Sequence, residues 1–152
     1  MSNRQPESQA FSPTFNAFAK TLASRWVDRY GIRDKTIVEI GCGKGDFLML
    51  VCEAGNNRGI GIDPSAQPER IPPQFRDRVR FIQELYGPQH ADLPADVVLC
   101  RHTLEHIAPT GRFLRTLRNV IGDRSDTVVL FELPDAVRVL REGAFWDIYY
   151  EH

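Results

Sequence analysis

The 152-residue chain carries 20 acidic and 19 basic residues, a net charge of −1, and 42% hydrophobic residues. That balance gives no general attraction to nucleic acid or to an anionic membrane, and the apolar share is high enough to build a core rather than long disorder. No apolar run reaches the 18 residues of a membrane span, and Met1 is followed by polar SNRQPESQ, so neither a span nor a signal peptide is expected.

Residues 1–13 read as a flexible segment, and 14–152 as a single α/β domain with no linker or internal repeat. Phe15, Phe18, Leu22, Trp26 and Tyr30 recur at three- and four-residue spacings and predict a helix that stops at Gly31. Residues 36–40 predict a buried strand, then come a glycine-rich turn, a helix over 47–54 and a second strand over 58–62. Four prolines between 64 and 73 oppose a full-length helix, so the next crossover is expected to be short or irregular. Strands are predicted over 79–82, 96–100 and 127–131, with an amphipathic helix covering 113–120 and starting near Pro109. This order predicts a three-layer α/β sandwich around a mostly parallel sheet.

The chemistry begins after the first strand. Gly41, Gly43 and Gly45 alternate, which permits a sharp turn and close approach of a ligand to the main chain. The following helix presents free N–H groups. Asp63 ends the next strand about twenty residues on, where in this topology an acid can accept hydrogen bonds from both ribose hydroxyls. The third glycine comes one position too early for a dinucleotide fingerprint, and the loop lacks the ending of a phosphate-binding P-loop. Glu39 disfavours a nearby pyrophosphate and favours an ammonium. S-adenosylmethionine carries that ammonium together with a carboxylate, a sulfonium and a ribose. A glycine turn beside surface acids, or a nicotinamide or flavin site, are the competing readings.

The strings EIGCGKG (39–45), GIGIDPS (59–65) and DVVLCRHTLEHI (96–107) together resemble three successive motifs of class I S-adenosylmethionine-dependent methyltransferases. The resemblance implies the Rossmann-like methyltransferase fold. It also implies that Glu39, Gly41, Cys42 and Gly43 line the methionine portion, and that Asp63 and Pro64 meet the ribose. Gln83, Glu84 and Leu85 would sit beside the adenine, with Arg101 and His102 approaching the cofactor from its other side.

Transfer to carbon needs a base and a stabiliser for the enolate, whereas an amine or hydroxyl needs at most a base. Of the four histidines, His90 lies in polar sequence and reads as solvated surface. His102 and His106 are four apart and could face one ligand if their segment is helical; they lack the further ligands of a metal site, and none is expected. His102 reads as structural or cofactor wall. For His106, substrate contact and helix-cap packing are equal readings.

FELPD (131–135) followed by FWDIYYEH (145–152) resembles the C-methyltransferases that act on nucleotide-linked deoxysugars. That resemblance implies proton abstraction from carbon 3 of a 4-keto sugar and methyl transfer to that carbon. His152 would be the base, Tyr149 a donor to the keto or enolate oxygen, Glu151 an orienting group, and His106 a further substrate-facing residue. Members of that family continue beyond this element, so the domain is expected to be incomplete at its C-terminus and to lack the last strands of the sheet. A small-molecule O- or N-methyltransferase, and an inactive methyltransferase-like interaction domain, stay open beside it. Cys42, Cys52 and Cys100 read as buried thiols of a reducing cytoplasm. The partner expected is a small molecule, with no nucleic acid and no membrane; the oligomeric state is not specified.

Overall fold

A computed structural model describes residues 13–143 of the chain. Helix α1 (Pro13–Tyr30) leads into β1 (Thr36–Ile40), α2 (Asp46–Gly55) and β2 (Arg58–Ile62). Then follow β3 (Val79–Ile82), β4 (Val97–Arg101), α3 (Thr110–Ile121), β5 (Val128–Glu132) and α4 (Ala136–Glu142). The strands form one parallel sheet in the order β3-β2-β1-β4-β5. Chain order reverses between β1 and β4, and in such sheets the crevice at the carboxyl ends beside that reversal receives ligands.

Alternation along the strands makes two cores. Ile37, Val97 and Leu99 face α1 and α2 and pack with Val27, Leu48 and Val51, all at most 2% exposed. Val38, Ile40, Val98 and Cys100 face the other way, toward Phe113 and Leu117 of α3. Buried on both faces, β1 and β4 read as continuous apolar runs rather than alternating ones. Buried Asn57 joins α2 to the loop before β1. Its amide donates to the Ile32 and Val51 carbonyls at 3.0 and 2.9 Å, and its oxygen accepts the Lys35 N–H at 2.9 Å.

The prolines after β2 act as expected: the crossover contains two single 3₁₀ turns, Pro68–Arg70 and Pro73–Phe75, and no α-helix. Strands β1, β2 and β3 match the sequence reading. Strands β4 and β5 lie one residue later than predicted, because Arg101 and Glu132 extend the two strands and stand opposite one another in register. Helix α4 was not predicted. Asp135 caps it by accepting the Val137 and Arg138 N–H groups at 3.0 and 3.3 Å, and Gly143 closes it with a left-handed φ of 63°. No helix among the described residues is long and apolar enough to cross a membrane.

Candidate functional site

The glycine turn sits at the carboxyl end of β1. Gly41 and Gly45 have φ of 71° and 76°, a region that residues with a Cβ rarely adopt. Space enforces glycine as firmly as the dihedral does. A Cβ on Gly41 would lie 2.1 Å from Thr103 Oγ1, and one on Gly45 would lie 2.3 Å from the Phe81 ring. Gly43 shares the positive φ but faces open space, so at this one position the loop backbone is open to a ligand.

Asp63 is already held. Its Oδ2 accepts the Gly43 N–H at 2.9 Å, and its Oδ1 accepts both the N–H and the hydroxyl of Ser65 at 2.7 Å. A carboxylate has about four acceptor directions, so one stays open, and a second opens if the Ser65 hydroxyl turns away. Beyond it, the expected adenine flank is divided. Gln83 donates its amide to the Ala66 carbonyl at 2.8 Å, and Glu84 stands 3.5 Å from His90 Nε2. Leu85 is 75% exposed and is the apolar group presented there. Pro64 is exposed next to Asp63.

On the other side of the loop lies a cavity of about 170 Å³, lined by Glu39, Gly41, Cys42, Arg101 and His102, with Phe15 and Asn16 of α1 closing it. Glu39 is only 3% exposed, and its Oε2 has no hydrogen-bond partner. Burial pushes its carboxyl up to about 8, against the opposing charge of Arg101 and the Leu48 N–H. Burial likewise pushes the Cys42 thiol well above its ordinary range, so this cysteine is a wall and not a thiolate nucleophile. A larger cavity of about 610 Å³ opens between α2 and the proline crossover. It shares Asn16, Lys44, Asp46 and Leu50 with the smaller cavity but has no comparable buried, unpaired polar atom in its lining.

Arg101 stands between the two sides. Its Nε donates to Glu132 Oε2, and its guanidinium carbon lies 3.6 Å from the centre of the Phe47 ring. Burial alone would raise Glu132, but the hydrogen bonds from His102 and Arg101 outweigh it and hold that carboxyl at about 2. His102 takes a left-handed φ of 48°, and its Nε2 lies 3.4 Å from Glu132 Oε1.

Three sequence expectations are corrected here. The segment carrying His102 and His106 is a 3₁₀ turn, Leu104–His106, preceded by extended and left-handed backbone, so the helical spacing that would align both imidazoles does not arise. His106 is exposed and does not cap α3, whose N-cap is Pro109. His90 is 5% exposed rather than solvated: it stacks on Tyr86 with ring centres 5.5 Å apart, and its Nδ1 accepts the Gly87 N–H at 3.1 Å. Tyr149, Glu151 and His152 lie outside the described residues. Glu132 was not singled out from the sequence. The acid Glu132 directly after an apolar strand, matching the position of Asp63 after β2, was the available signal.

A family model described as Methyltransferase domain matches residues 15–152. The chain is 35% identical over 119 residues to the ribosomal protein L11 methyltransferase of Colwellia psychrerythraea, covering 70% of this chain and 41% of that protein. With the corresponding protein of Pseudoalteromonas atlantica it shares 38% over 81 residues, covering 51% and 28%. The chain thus spans less than half the length of these relatives. Among solved structures, plantazolicin methyltransferase BpumL in complex with S-adenosylhomocysteine aligns with a TM-score of 0.58 at 18% identity, over 91% of this chain and 53% of that one. Coclaurine N-methyltransferase, bound to N-methylheliamine and S-adenosylhomocysteine, aligns with 0.57 at 21% identity, over 74% and 35%. At these identities the structural likeness speaks for the fold.

Proposed function

The chain belongs to the methyltransferase domain family, and on that premise we propose that it binds S-adenosylmethionine at the carboxyl ends of β1, β2 and β4 and passes its methyl group to a small-molecule acceptor. One observation carries this reading: a buried, unpaired Glu39 oxygen and an open Gly43 flank the same strand end, with Asp63 fixed beyond them. Glu39 suits the ammonium of the methionine portion, Gly43 the close approach of the ligand to the loop, and Asp63 the ribose hydroxyls. Bound there, the cofactor supplies an electrophilic methyl on a sulfonium. The working unit in this reading is residues 14–152, in the reducing compartment that three free cysteines suit.

For the acceptor, we infer carbon 3 of a nucleotide-linked 4-keto-deoxysugar. The support is the resemblance of FELPD (131–135) and FWDIYYEH (145–152) to sugar C-methyltransferases. A ketone acidifies the neighbouring carbon, so the chain must supply a base and a donor to the enolate oxygen. Tyr149, Glu151 and His106 are the acceptor-facing residues of this reading, and His152 is its base. The similarity to ribosomal protein L11 methyltransferases favours a second reading, in which the acceptor is a protein.

Methyl-labelled cofactor offered with TDP-4-keto-6-deoxyglucose, and separately with ribosomal protein, separates these. A new carbon–methyl bond at carbon 3 of the product, with solvent deuterium washed into carbon 3 of the recovered unmethylated sugar, is the expected result. Label in protein alone would replace the acceptor, and absence of S-adenosylhomocysteine binding would sink the reading altogether.

A further inference from the structure

We propose that His102, held by Glu132, is the proton acceptor for methyl transfer at the wall of the 170 Å³ cavity. The proposal rests on the methyl-transfer reading above and assigns the base role to a residue that the cofactor cavity already contains. Three observations meet at this side chain. It is 41% exposed, so a reacting group can reach it, and it lines the cavity together with Glu39 and Gly41. Its backbone sits at φ 48°, an uncommon and strained conformation for a residue with a Cβ, of the kind concentrated at functional sites. Its Nε2 faces Glu132 Oε1 at 3.4 Å, while Arg101 holds the other oxygen of the same carboxylate.

An imidazole held at one nitrogen by an ionised carboxylate keeps its other nitrogen free as a base, and the carboxylate stabilises the cation that forms. The charged groups around it are Glu132 on β5, Arg101 on β4, Glu39 on β1 and Glu105 on the turn after β4. Glu105 Oε1 lies 3.9 Å from His102 Nδ1, beyond hydrogen-bond reach, so that nitrogen is not tied up. In the step, the acceptor's C–H bond breaks, its proton moves to His102 Nδ1, and its electron pair forms the new bond to the methyl carbon. The old bond from methyl to sulfur breaks with its pair returning to sulfur. Positive charge passes from the sulfonium to the imidazolium, so the site's net charge is unchanged. Glu132 is a positioning residue, acting through His102.

The test begins without an acceptor. Diethyl pyrocarbonate carbethoxylates accessible imidazoles, and mass spectrometry locates the adduct. S-adenosylhomocysteine is expected to protect His102 and leave exposed His106 reactive; equal modification of His102 with and without the ligand overturns the inference while leaving cofactor binding intact. With the keto sugar, His102→Asn is expected to lose about 10²–10⁴-fold in kcat at saturating S-adenosylmethionine. Imidazole in solution is expected to restore part of the rate of His102→Gly. Glu132→Gln is expected to lower kcat with KM unchanged, and Glu132→Asp to recover some of it. A His102→Asn enzyme at full rate beside an inactive His152→Asn overturns the assignment. If the keto sugar is not methylated at all, the acceptor reading fails and the protection experiment alone decides for or against His102.

Discussion

On the β1–β2 side of the crevice, backbone sets the shape. Gly41 and Gly45 leave no room for a side chain, and Asp63 is held chiefly by main-chain N–H groups and its own neighbour Ser65. On the β4–β5 side, charge sets it instead: Arg101, Glu132 and His102 constrain one another across 31 residues of sequence. The strands differ in the same sense. β1 is almost wholly buried, whereas β5 is half-buried at every position and forms an edge of the sheet among the described residues. A site built this way has one wall that depends on steric fit and one that depends on electrostatic balance, and the two should fail under different insults.

The largest expected effect is on the charged wall. Arg101→Met leaves half-buried Glu132 with only His102 beside it, and a loss of about 3 kcal/mol in urea unfolding is expected. The double variant Arg101→Met with Glu132→Leu should recover much of that loss; equal instability of the single and double variants would break the electrostatic account. Next comes the steric wall. Gly45→Ala meets both an unfavourable φ and the Phe81 ring, and about 3 kcal/mol of destabilisation is expected. Phe81→Leu introduced alongside it should relieve the clash but not the dihedral cost.

Asp63→Ala should act on binding: removing two hydrogen bonds to a charged group predicts an affinity loss of about 10²-fold for S-adenosylhomocysteine by calorimetry. Unchanged affinity would remove Asp63 from the site.

The pH dependence is the most discriminating test, since the two walls have opposite pH signs. Glu39 rises from 4.5 to about 8 on folding, so the native state keeps a proton that the unfolded chain has lost. Its contribution is full below pH 4.5 and falls as pH climbs toward 8, by at most about 1.4 kcal/mol per pH unit. Glu132 falls from 4.5 to about 2, so its contribution is present above pH 4.5 and is lost as pH drops toward 2. Glu39→Gln should therefore flatten the stability profile between pH 5 and 8 and leave the acid limb alone. The same proton bears on binding. An ammonium entering beside Glu39 should displace it near pH 6.5, seen as proton release in buffers of different ionisation enthalpy. Above about pH 8 the ligand's own amine loses its proton and the exchange should reverse in sign. Binding with no buffer dependence would separate Glu39 from the ammonium.

The steric wall was the legible one. A run of β-branched residues ending in alternating glycines, then an acid after the next strand, is a local pattern in which each residue announces its backbone need. Of the charged wall, Arg101 and His102 were named through the resemblance, but their coupling to Glu132 was not legible, because Arg101 and Glu132 end their apolar runs and read as the first residues outside a strand. Only the β4–β5 register makes them neighbours. His90 was misread for a related cause: its burial comes from the Tyr86 ring four residues back and from Glu84, in a stretch with no apolar periodicity. The helix over 136–142 carried both of its end signals, Asp135 and Gly143, but seven residues are too few for a periodic stripe to stand out.

The three hydrogen bonds that hold Asp63 have a thermodynamic consequence for recognition. A surface carboxylate that must be ordered by its ligand charges that ordering, about 0.5–1.5 kcal/mol per side chain, against affinity. Asp63 is ordered by Gly43 and Ser65 before any ribose arrives, so folding has already absorbed that loss of freedom. Ser65→Ala should then leave the contact intact but make binding entropically worse, a preorganisation carried by a residue that need never touch the ligand.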